Sequence, residues 1–303
     1  MPNHLIECII LTRMIEELNT EDIEKLMDSK QAKDQTQEER MQVLKYRLSK
    51  IKHKIAIISG KGGVGKSTTA VNIAAALAER NLNVGILDVD ITGPNIPKML
   101  GMEGKRPEIN AARKTFYPVK GPLNIKVVSM AFLLGSSDEP VIWRGPMKMG
   151  VVRQFLGEAE WGDLDYLIID LPPGTGDEIL DIMQLISDSY IIIVSTPQAV
   201  ALSDARKTFK MAQKMQHEIL GFVENMSSFI CPDCNSEHKI FGEGGVEQAS
   251  ADFETEVLGK IPIEPLVREY GDNGTPIVVK SPETKSAKAF RSIVDKIQEY
   301  IER

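Results

Sequence analysis

The sequence predicts an α/β fold in which a mostly parallel, twisted sheet is flanked by helices on both faces. From residue 54 onward, short apolar runs alternate with segments of helical periodicity, which is typical of βαβ units. The apolar runs are continuous rather than alternating, and this pattern indicates strands that are covered on both sides. A mostly parallel sheet follows from both observations.

Six apolar runs are the predicted strands. They are "KIAIIS" at 54–59, "VGILD" at 84–88, "IKVVSM" at 125–130, "YLIID" at 166–170, "YIIIVST" at 190–196 and "ILGFVEN" at 219–225. The segments between them with helical spacing are 68–80, 147–159, 178–186 and 202–215. A last segment, 287–303, carries an apolar stripe and mixed charges, which favour a helix packed on the core over one lying on a membrane.

Composition narrows the class of protein. The 303 residues are 42% hydrophobic and 26% charged, as in ordinary globular proteins. A net charge of −7 argues against binding to nucleic acid, and no apolar run approaches the roughly 20 residues that span a bilayer. The apolar stretch 4–12 lacks a basic leader and a cleavage site, so we expect neither signal peptide nor anchor. Three cysteines favour a reducing compartment, the cytoplasm.

Two regions differ in character along the chain. Residues 1–51 are rich in Glu, Lys and Gln and predict an N-terminal extension that is helical or partly disordered. Residues 52–303 predict one α/β domain, with a cysteine-containing loop at 228–245. No internal repeat divides this second region further.

A glycine-rich loop follows the first predicted strand and opens a helix, and its sequence fits G-x-x-x-x-G-K-S/T. Glycines let backbone N–H groups converge on phosphate oxygens, and the helix N-terminus adds about half a positive charge. Lys66 is expected to bridge the β- and γ-phosphates of ATP, and the Ser67 hydroxyl to ligate Mg²⁺. The predicted nucleotide-binding residues of this loop are Gly60, Lys61, Gly62, Gly63, Val64, Gly65, Lys66, Ser67 and Thr68.

Three carboxylates lie at or just after the carboxyl ends of predicted strands, where parallel sheets bind ligands. Asp170 is expected to hold Mg²⁺ through water, and Asp90 to orient or deprotonate the attacking water. Asp88 lies beside them. A capping or turn role is the alternative for each.

Lys61 is a second cation in the phosphate loop. Phosphoryl transfer needs positive charge where the transition state gathers negative charge, and a partner can supply that charge in trans. Lys61 therefore predicts catalysis across a subunit interface. The alternative is a surface lysine that pairs locally.

Cys231 and Cys234 form a C-x-x-C pair that suits a metal or cluster, a redox disulfide or a plain loop. Stable zinc and cluster sites usually have four protein ligands, and Cys8 is the only other cysteine. A twofold dimer would pool two pairs on its axis. Thiolates suit iron–sulfur clusters and zinc alike, and His238 keeps a mixed Cys/His zinc site open.

The loop sequence "KGGVGKST" resembles the deviant phosphate loop of the nitrogenase iron protein, MinD, ParA and the arsenite-pump ATPase. Those proteins dimerise face to face around ATP. The resemblance implies that Lys61 contacts the nucleotide of the partner, that Asp90 is the switch aspartate, and that Asp170 serves the magnesium site. It also implies that Asn225 contacts adenine.

A narrower resemblance covers about residues 52–270. The blocks "DVDITGPNIPKMLG", "VIWRGPMK", "DLPPGTGDEIL", "VENMSSFICPDCNSEHKIFGEGG" and "LGKIPIEP" resemble the Mrp/ApbC family of iron–sulfur cluster carrier ATPases. This resemblance implies a slow ATPase that binds a labile 4Fe–4S cluster across a homodimer through Cys231 and Cys234 and passes it to apoproteins. The four-cysteine N-terminal site of eukaryotic relatives is not found here.

Two other functions stay open from the residues. One is a MinD/ParA-like ATPase of spatial organisation, which would need a basic amphipathic helix or a basic surface. The other is a zinc-bridged, nucleotide-dependent switch that acts on protein partners. Metal content and binding to liposomes or DNA separate these from the carrier.

Overall fold

The computed structural model describes residues 37–90, 93–133 and 145–303. Predictions for residues 1–36, including Cys8, lie outside the described residues, as do those for 91–92 and 134–144. The described helices and strands are α1 (Gln37–Ser49), β1 (Ile51–Ile58), α2 (Lys66–Ala78), β2 (Val84–Asp88), α3 (Ile96–Met99), β3 (Glu108–Asn110), β4 (Thr115–Tyr117), β5 (Val119–Lys120), β6 (Lys126–Ser129), α4 (Gly145–Glu158), β7 (Leu164–Asp170), α5 (Asp177–Leu185), β8 (Tyr190–Ser195), α6 (Ala199–Lys214), β9 (Glu218–Ile230), β10 (Glu237–His238), α7 (Gly245–Asp252), β11 (Val257–Ile263), α8 (Pro265–Asp272), α9 (Ile277–Lys280) and α10 (Lys285–Ile301).

The described strands form a nine-stranded sheet in the order β10-β9-β8-β1-β7-β2-β6-β5, with β11 also paired to β9. Strand β1 lies between β7 and β8 and is parallel to both. Antiparallel pairing is confined to β5 with β6 and β9 with β10 within this sheet. The predicted α/β class with a mostly parallel sheet is confirmed.

Apolar side chains fill a core on each face of the sheet. One core includes Phe155 of α4 and Phe209 of α6, and the other includes Ile73 of α2 and Phe290 of α10. The apolar stripe of the last helix is buried, as predicted, because α10 packs on β11 and α2. Within the described part of the chain, no helix has the length and apolarity needed to cross a membrane.

Helix α1 packs on the α/β body rather than standing apart from it. Its Leu44 and Leu48 are buried in the core beside α4. The ammonium of Lys54 donates to the carbonyls of Leu48 and Ile51 at 3.2 Å, so it joins the end of α1 to the start of β1. Strand β1 accordingly begins at Ile51, three residues before the predicted start.

Several strands differ from their predicted limits. Strand β9 runs to Ile230, five residues beyond the predicted end, and continues past Met226, a non-glycine residue with φ 57°. Strands β3, β4, β5 and β10 are too short to produce a periodic signal. Strand β11 was also missed, because Gly259 and Lys260 interrupt its apolar run.

Candidate functional site

The glycine-rich loop lies between β1 and α2, at the carboxyl edge of the sheet. Gly63 and Gly65 have φ values of 79° and 85°, in the left-handed region that favours glycine. A Cβ on Gly60 would lie 2.4 Å from the backbone carbon of Asp204, so α6 approaches this position too closely for a side chain. The sequence therefore folds locally into a loop that presents backbone N–H groups before helix α2 begins at Lys66.

Asp170 holds the two polar side chains at the start of α2. The ammonium of Lys66 lies 2.5 Å from Oδ1 of Asp170, and the Ser67 hydroxyl donates to Oδ2 at 2.5 Å. Burial raises the pKa of the Asp170 carboxyl from its usual value, and the Lys66 ammonium opposes that rise. The hydroxyl and carboxylate oxygens form a set that suits Mg²⁺, a cation that prefers oxygen ligands.

Asp88 and Asp90 flank this group. Asp88 is the register partner of Asp170 on the neighbouring strand, and Oδ2 of Asp90 lies 4.0 Å from the ammonium of Lys66. The carboxylate of Asp88 accepts the Asp90 backbone N–H at 3.2 Å and the Ser129 hydroxyl at 2.9 Å. Burial, and then the charge of Asp170, raise the pKa of Asp88 well above its usual range.

Ser129 was not among the predicted site residues. It ends β6, and the rule that pointed to Asp88 and Asp170, namely the carboxyl ends of parallel strands, would have found it. Its hydroxyl also accepts the backbone N–H of Ala131. Ser129 thereby ties the end of β6 to the carboxylate that supports Asp90.

Asn225 reaches the loop from strand β9. Its amide donates to the Val64 carbonyl at 2.8 Å, and a Cβ on Gly65 would lie 1.9 Å from the amide nitrogen. The side chain is 8% exposed. The residue expected to contact adenine therefore lies directly on the phosphate loop.

The remaining loop residues are more open. Lys61, Gly62 and Gly63 are exposed, and Lys61 forms no ion pair with any residue of the described ranges. The backbone carbonyl of Lys61 accepts the Ser59 hydroxyl at 3.0 Å, which fixes the loop while the side chain projects from the surface. Thr68 is half-buried in the first turn of α2.

The two cysteines lie on the turn between β9 and β10. The backbone N–H of Cys231 donates to the Ser236 carbonyl at 2.9 Å, and that of Asn235 donates to the Cys231 carbonyl at 2.9 Å. Cys231 is half-buried, whereas Cys234 is exposed. The structure therefore brings both sulfurs to the tip of one hairpin.

The Cys234 thiol belongs to a short polar chain. Its sulfur lies 2.9 Å from the Ser236 hydroxyl, which lies 2.9 Å from Nε2 of His238. The Ser236 hydroxyl, its backbone N–H and the Cys231 thiol lower the pKa of Cys234 and favour the thiolate, the form that binds metals. No group of three or more His, Cys, Asp or Glu residues in the described ranges could hold a metal ion. Ser236 was not among the predicted site residues, because no sequence motif identifies a serine at this spacing from a C-x-x-C pair.

A glycine-rich loop before a buried lysine, with a strand-end aspartate on the Lys66 and Ser67 side chains, defines a P-loop NTPase. This arrangement is built to bind a nucleoside polyphosphate with a divalent cation. The pair of cysteines at the hairpin tip is an addition to that class of site.

Comparison with known proteins narrows the class. The family model described as "ParA: NUBPL iron-transfer P-loop NTPase" matches residues 50–298. The iron–sulfur cluster carrier protein of Methanocaldococcus jannaschii is 50% identical over 256 residues, covering 84% of this chain and 87% of the relative. That of Synechocystis is 50% identical over 253 residues, covering 82% and 71%.

Solved structures agree in fold. A nucleotide-binding protein of Archaeoglobus fulgidus, in complex with ADP and with cobalt found in it, gives a TM-score of 0.72 at 38% identity and covers 82% of this chain and 96% of its own. The cell-division ATPase MinD of Pyrococcus furiosus gives 0.61 at 26%, covering 82% and 100%. The chain belongs to the NUBPL-type iron-transfer P-loop NTPase family, as its resemblance to iron–sulfur cluster carrier ATPases implies.

Proposed function

We propose that this chain is an ATP-binding iron–sulfur cluster carrier that works as a homodimer in the cytoplasm. It binds a labile 4Fe–4S cluster between two subunits and passes the cluster to apoproteins, with slow hydrolysis of ATP. The observation that carries the proposal is the placement of Cys231 and Cys234 at the exposed tip of a hairpin on an iron-transfer P-loop NTPase.

The ligand count supports a shared cluster. A 4Fe–4S cluster takes four thiolates, and each chain offers two at the hairpin tip. A twofold axis through two such tips would bring four thiolates together. The lowered pKa of Cys234 favours the ligating form, and its exposure suits a cluster that must leave again.

The nucleotide site supports the ATPase part of the proposal. Lys66 would bind the β- and γ-phosphates, and Ser67 with Asp170 would hold Mg²⁺. Asp90 would orient the attacking water, and Lys61 would reach the nucleotide of the partner subunit. Asn225 would contact adenine from strand β9.

Anaerobic reconstitution tests the cluster. The protein is incubated with ferrous iron and sulfide, and the bound iron and the mass of the complex are measured together. We expect about four irons per dimer and transfer to an apo 4Fe–4S dehydratase whose activity returns with the cluster. Cys231→Ala and Cys234→Ala should each abolish loading, because each removes two of the four ligands.

Cys8 provides a control within the same chain, since Cys8→Ala removes the only other thiol. Full loading of Cys8→Ala together with failure of Cys231→Ala supports the ligand assignment. A full cluster on Cys231→Ala contradicts it. Zinc instead of iron in protein purified without oxygen would favour a zinc-bridged switch, and ATP-dependent binding to liposomes or DNA would favour a spatial-organisation ATPase.

A further inference from the structure

Strand β9 joins the two parts of the proposed site. Asn225, which contacts the phosphate loop, and Cys231, which directly follows the strand, are six positions apart in one continuous segment. A shift of one of these residues can therefore be transmitted to the other along the backbone. The backbone conformation of residues 226–230 determines how a shift of Asn225 changes the position of Cys231.

The first half of β9 is fixed by strands on both sides. Glu224 pairs with Ser195 of β8, and Asn225 pairs with Ile261 of β11. Glu224 and Asn225 are both buried. This half therefore belongs to the rigid body of the sheet.

Residues 226–228, which we call the joint, interrupt this pairing. The pairing of β9 with β8 ends at Glu224. The pairing of β9 with β11 shifts in register: Ile261 pairs with Asn225 and Ile263 with Phe229, so that two residues along β11 match four along β9. Met226 has φ 57°, a conformation that is uncommon for a residue with a side chain. The strand bends at a strained residue held by its surroundings.

The second half of β9 is paired with the cysteine hairpin. Phe229 and Ile230 pair with His238 and Glu237 of β10. The Ser228 hydroxyl contributes a hydrogen bond to Glu237 and so lowers the pKa of that carboxyl. The hairpin that carries both cysteines is thereby attached to the far end of the joint.

We infer that Met226 is a positioning residue whose backbone conformation sets where Cys231 lies relative to Asn225, so that nucleotide and metal change each other's affinity. The inference rests on the proposed function, because it needs a metal on the cysteines. Linkage makes the effect reciprocal, with a factor in the usual range of about 5 to 150. Met226 is not among the residues assigned to bind the nucleotide or the metal, and it acts through its neighbours.

Cobalt(II) binding to the reduced, full-length protein tests the inference, since thiolate coordination gives cobalt a characteristic absorption. Affinity is measured with and without a nonhydrolysable ATP analogue. We expect the analogue to change the affinity of the wild-type protein at least about 5-fold. Met226→Val should reduce this ratio to below about 2-fold, because a β-branched residue resists the left-handed conformation.

Gln216→Val is the matched control, since Gln216 also has a positive φ, 61°, but lies before β9 begins. It should keep the wild-type ratio. Met226→Gly provides a second variant should Met226→Val fold poorly, and it should also lower the ratio, because glycine adopts either conformation freely. The affinity of both Met226 variants for the analogue without metal should stay within about 2-fold of wild type.

Three results would overturn the inference: a wild-type affinity for cobalt that ignores the analogue, an unchanged ratio in the Met226 variants, or the same loss in Gln216→Val. Failure of the wild-type cysteines to bind cobalt at all would instead contradict the proposed function. The two failures are distinguishable, because the second is seen without nucleotide.

Discussion

The side-chain amide of Asn225 donates to the backbone carbonyl of Val64 at 2.8 Å, although 161 positions separate the two residues. This hydrogen bond joins strand β9 to the phosphate loop. It is possible because the next loop residue, Gly65, has no side chain: a Cβ there would lie 1.9 Å from the amide nitrogen. The close contact makes the shape of the loop depend on the position of β9.

Gly65→Ala and Gly63→Ala should therefore weaken nucleotide binding to different extents. Both glycines have left-handed φ values, so alanine strains the backbone at each. Only at Gly65 does the new methyl group also meet Asn225; at Gly63 nothing lies within 4 Å. We expect Gly65→Ala to weaken binding of ATP at least about 10-fold more than Gly63→Ala, as measured by calorimetry. Equal losses of affinity in the two variants would mean that backbone strain alone, and not contact with Asn225, weakens ATP binding.

Lys66→Met should destabilise the protein even without nucleotide. The Lys66 ammonium is 6% exposed and lies 2.5 Å from the buried Asp170 carboxylate, which would lose this counter-charge, and breaking a buried pair costs several kcal/mol. Protonation of Asp170 offsets part of the loss, because burial already raises its pKa. We expect a net fall of about 2 kcal/mol in the free energy of unfolding, measured by urea denaturation.

Asp295→Asn is the control for this variant. It removes an ion pair of similar length, 2.6 Å to Arg80, in which the aspartate is 68% exposed. The free energy of unfolding should change by less than about 0.5 kcal/mol. A similar loss in both variants would mean that burial of Lys66 does not set the cost.

The sequence predicted which side chains meet where a polar or charged residue lies at the carboxyl end of a strand or in the loop that follows it. Lys66, Ser67 and Asp170 were predicted to meet, and they do, because parallel strands and the loop end at one edge of the sheet. Asn225 was assigned by family resemblance, and the contact of its amide with Val64 follows from register between strands distant in sequence.

Contacts that depend on local conformation were not predictable. The hydrogen bond between Ser236 and Cys234 depends on the turn of a hairpin whose second strand is two residues long. Strand β9 was predicted to stop at 225 because its apolar run ends there. Neither pattern nor propensity indicates that Met226 adopts a positive φ.

Protein stability should fall as the pH rises from about 4.5 through 7, because of Glu224. Burial and then the charge of Glu247 raise the pKa of Glu224 from 4.5 to about 7. The folded state therefore favours the neutral carboxyl, which contributes stability below pH 4.5 and loses it through pH 7. A shift of this size corresponds to about 3 kcal/mol. Urea denaturation between pH 5 and 8 measures the slope.

Glu247 does not cancel this slope. Burial raises its pKa, but the hydrogen bond and charge of Lys260, its own backbone N–H and the hydrogen bond with Glu224 together lower the pKa of Glu247 below its usual value. It therefore titrates below the measured range. Glu224→Gln should make the profile less steep, because the amide stays neutral and still donates to Glu247. The raised pKa values of Asp88 and Asp170 act in the same direction and account for slope that remains. Glu283→Gln, at a side chain that is 87% exposed, should keep the wild-type slope. A flat wild-type profile would contradict the assignment to Glu224.

Lys61 and Asp90 should complement each other between subunits. If Lys61 acts on the nucleotide of the partner, Lys61→Ala and Asp90→Ala each lower ATP hydrolysis at least about 100-fold alone. In an equal mixture, half of the dimers are mixed, and each has one site with an intact Asp90 served by the Lys61 of the other chain. Hydrolysis should then recover to about one quarter of the wild-type rate. A mixture of Lys61→Ala with the double variant supplies no Lys61 and should remain inactive. Lack of recovery in the first mixture would show that Lys61 acts within its own subunit.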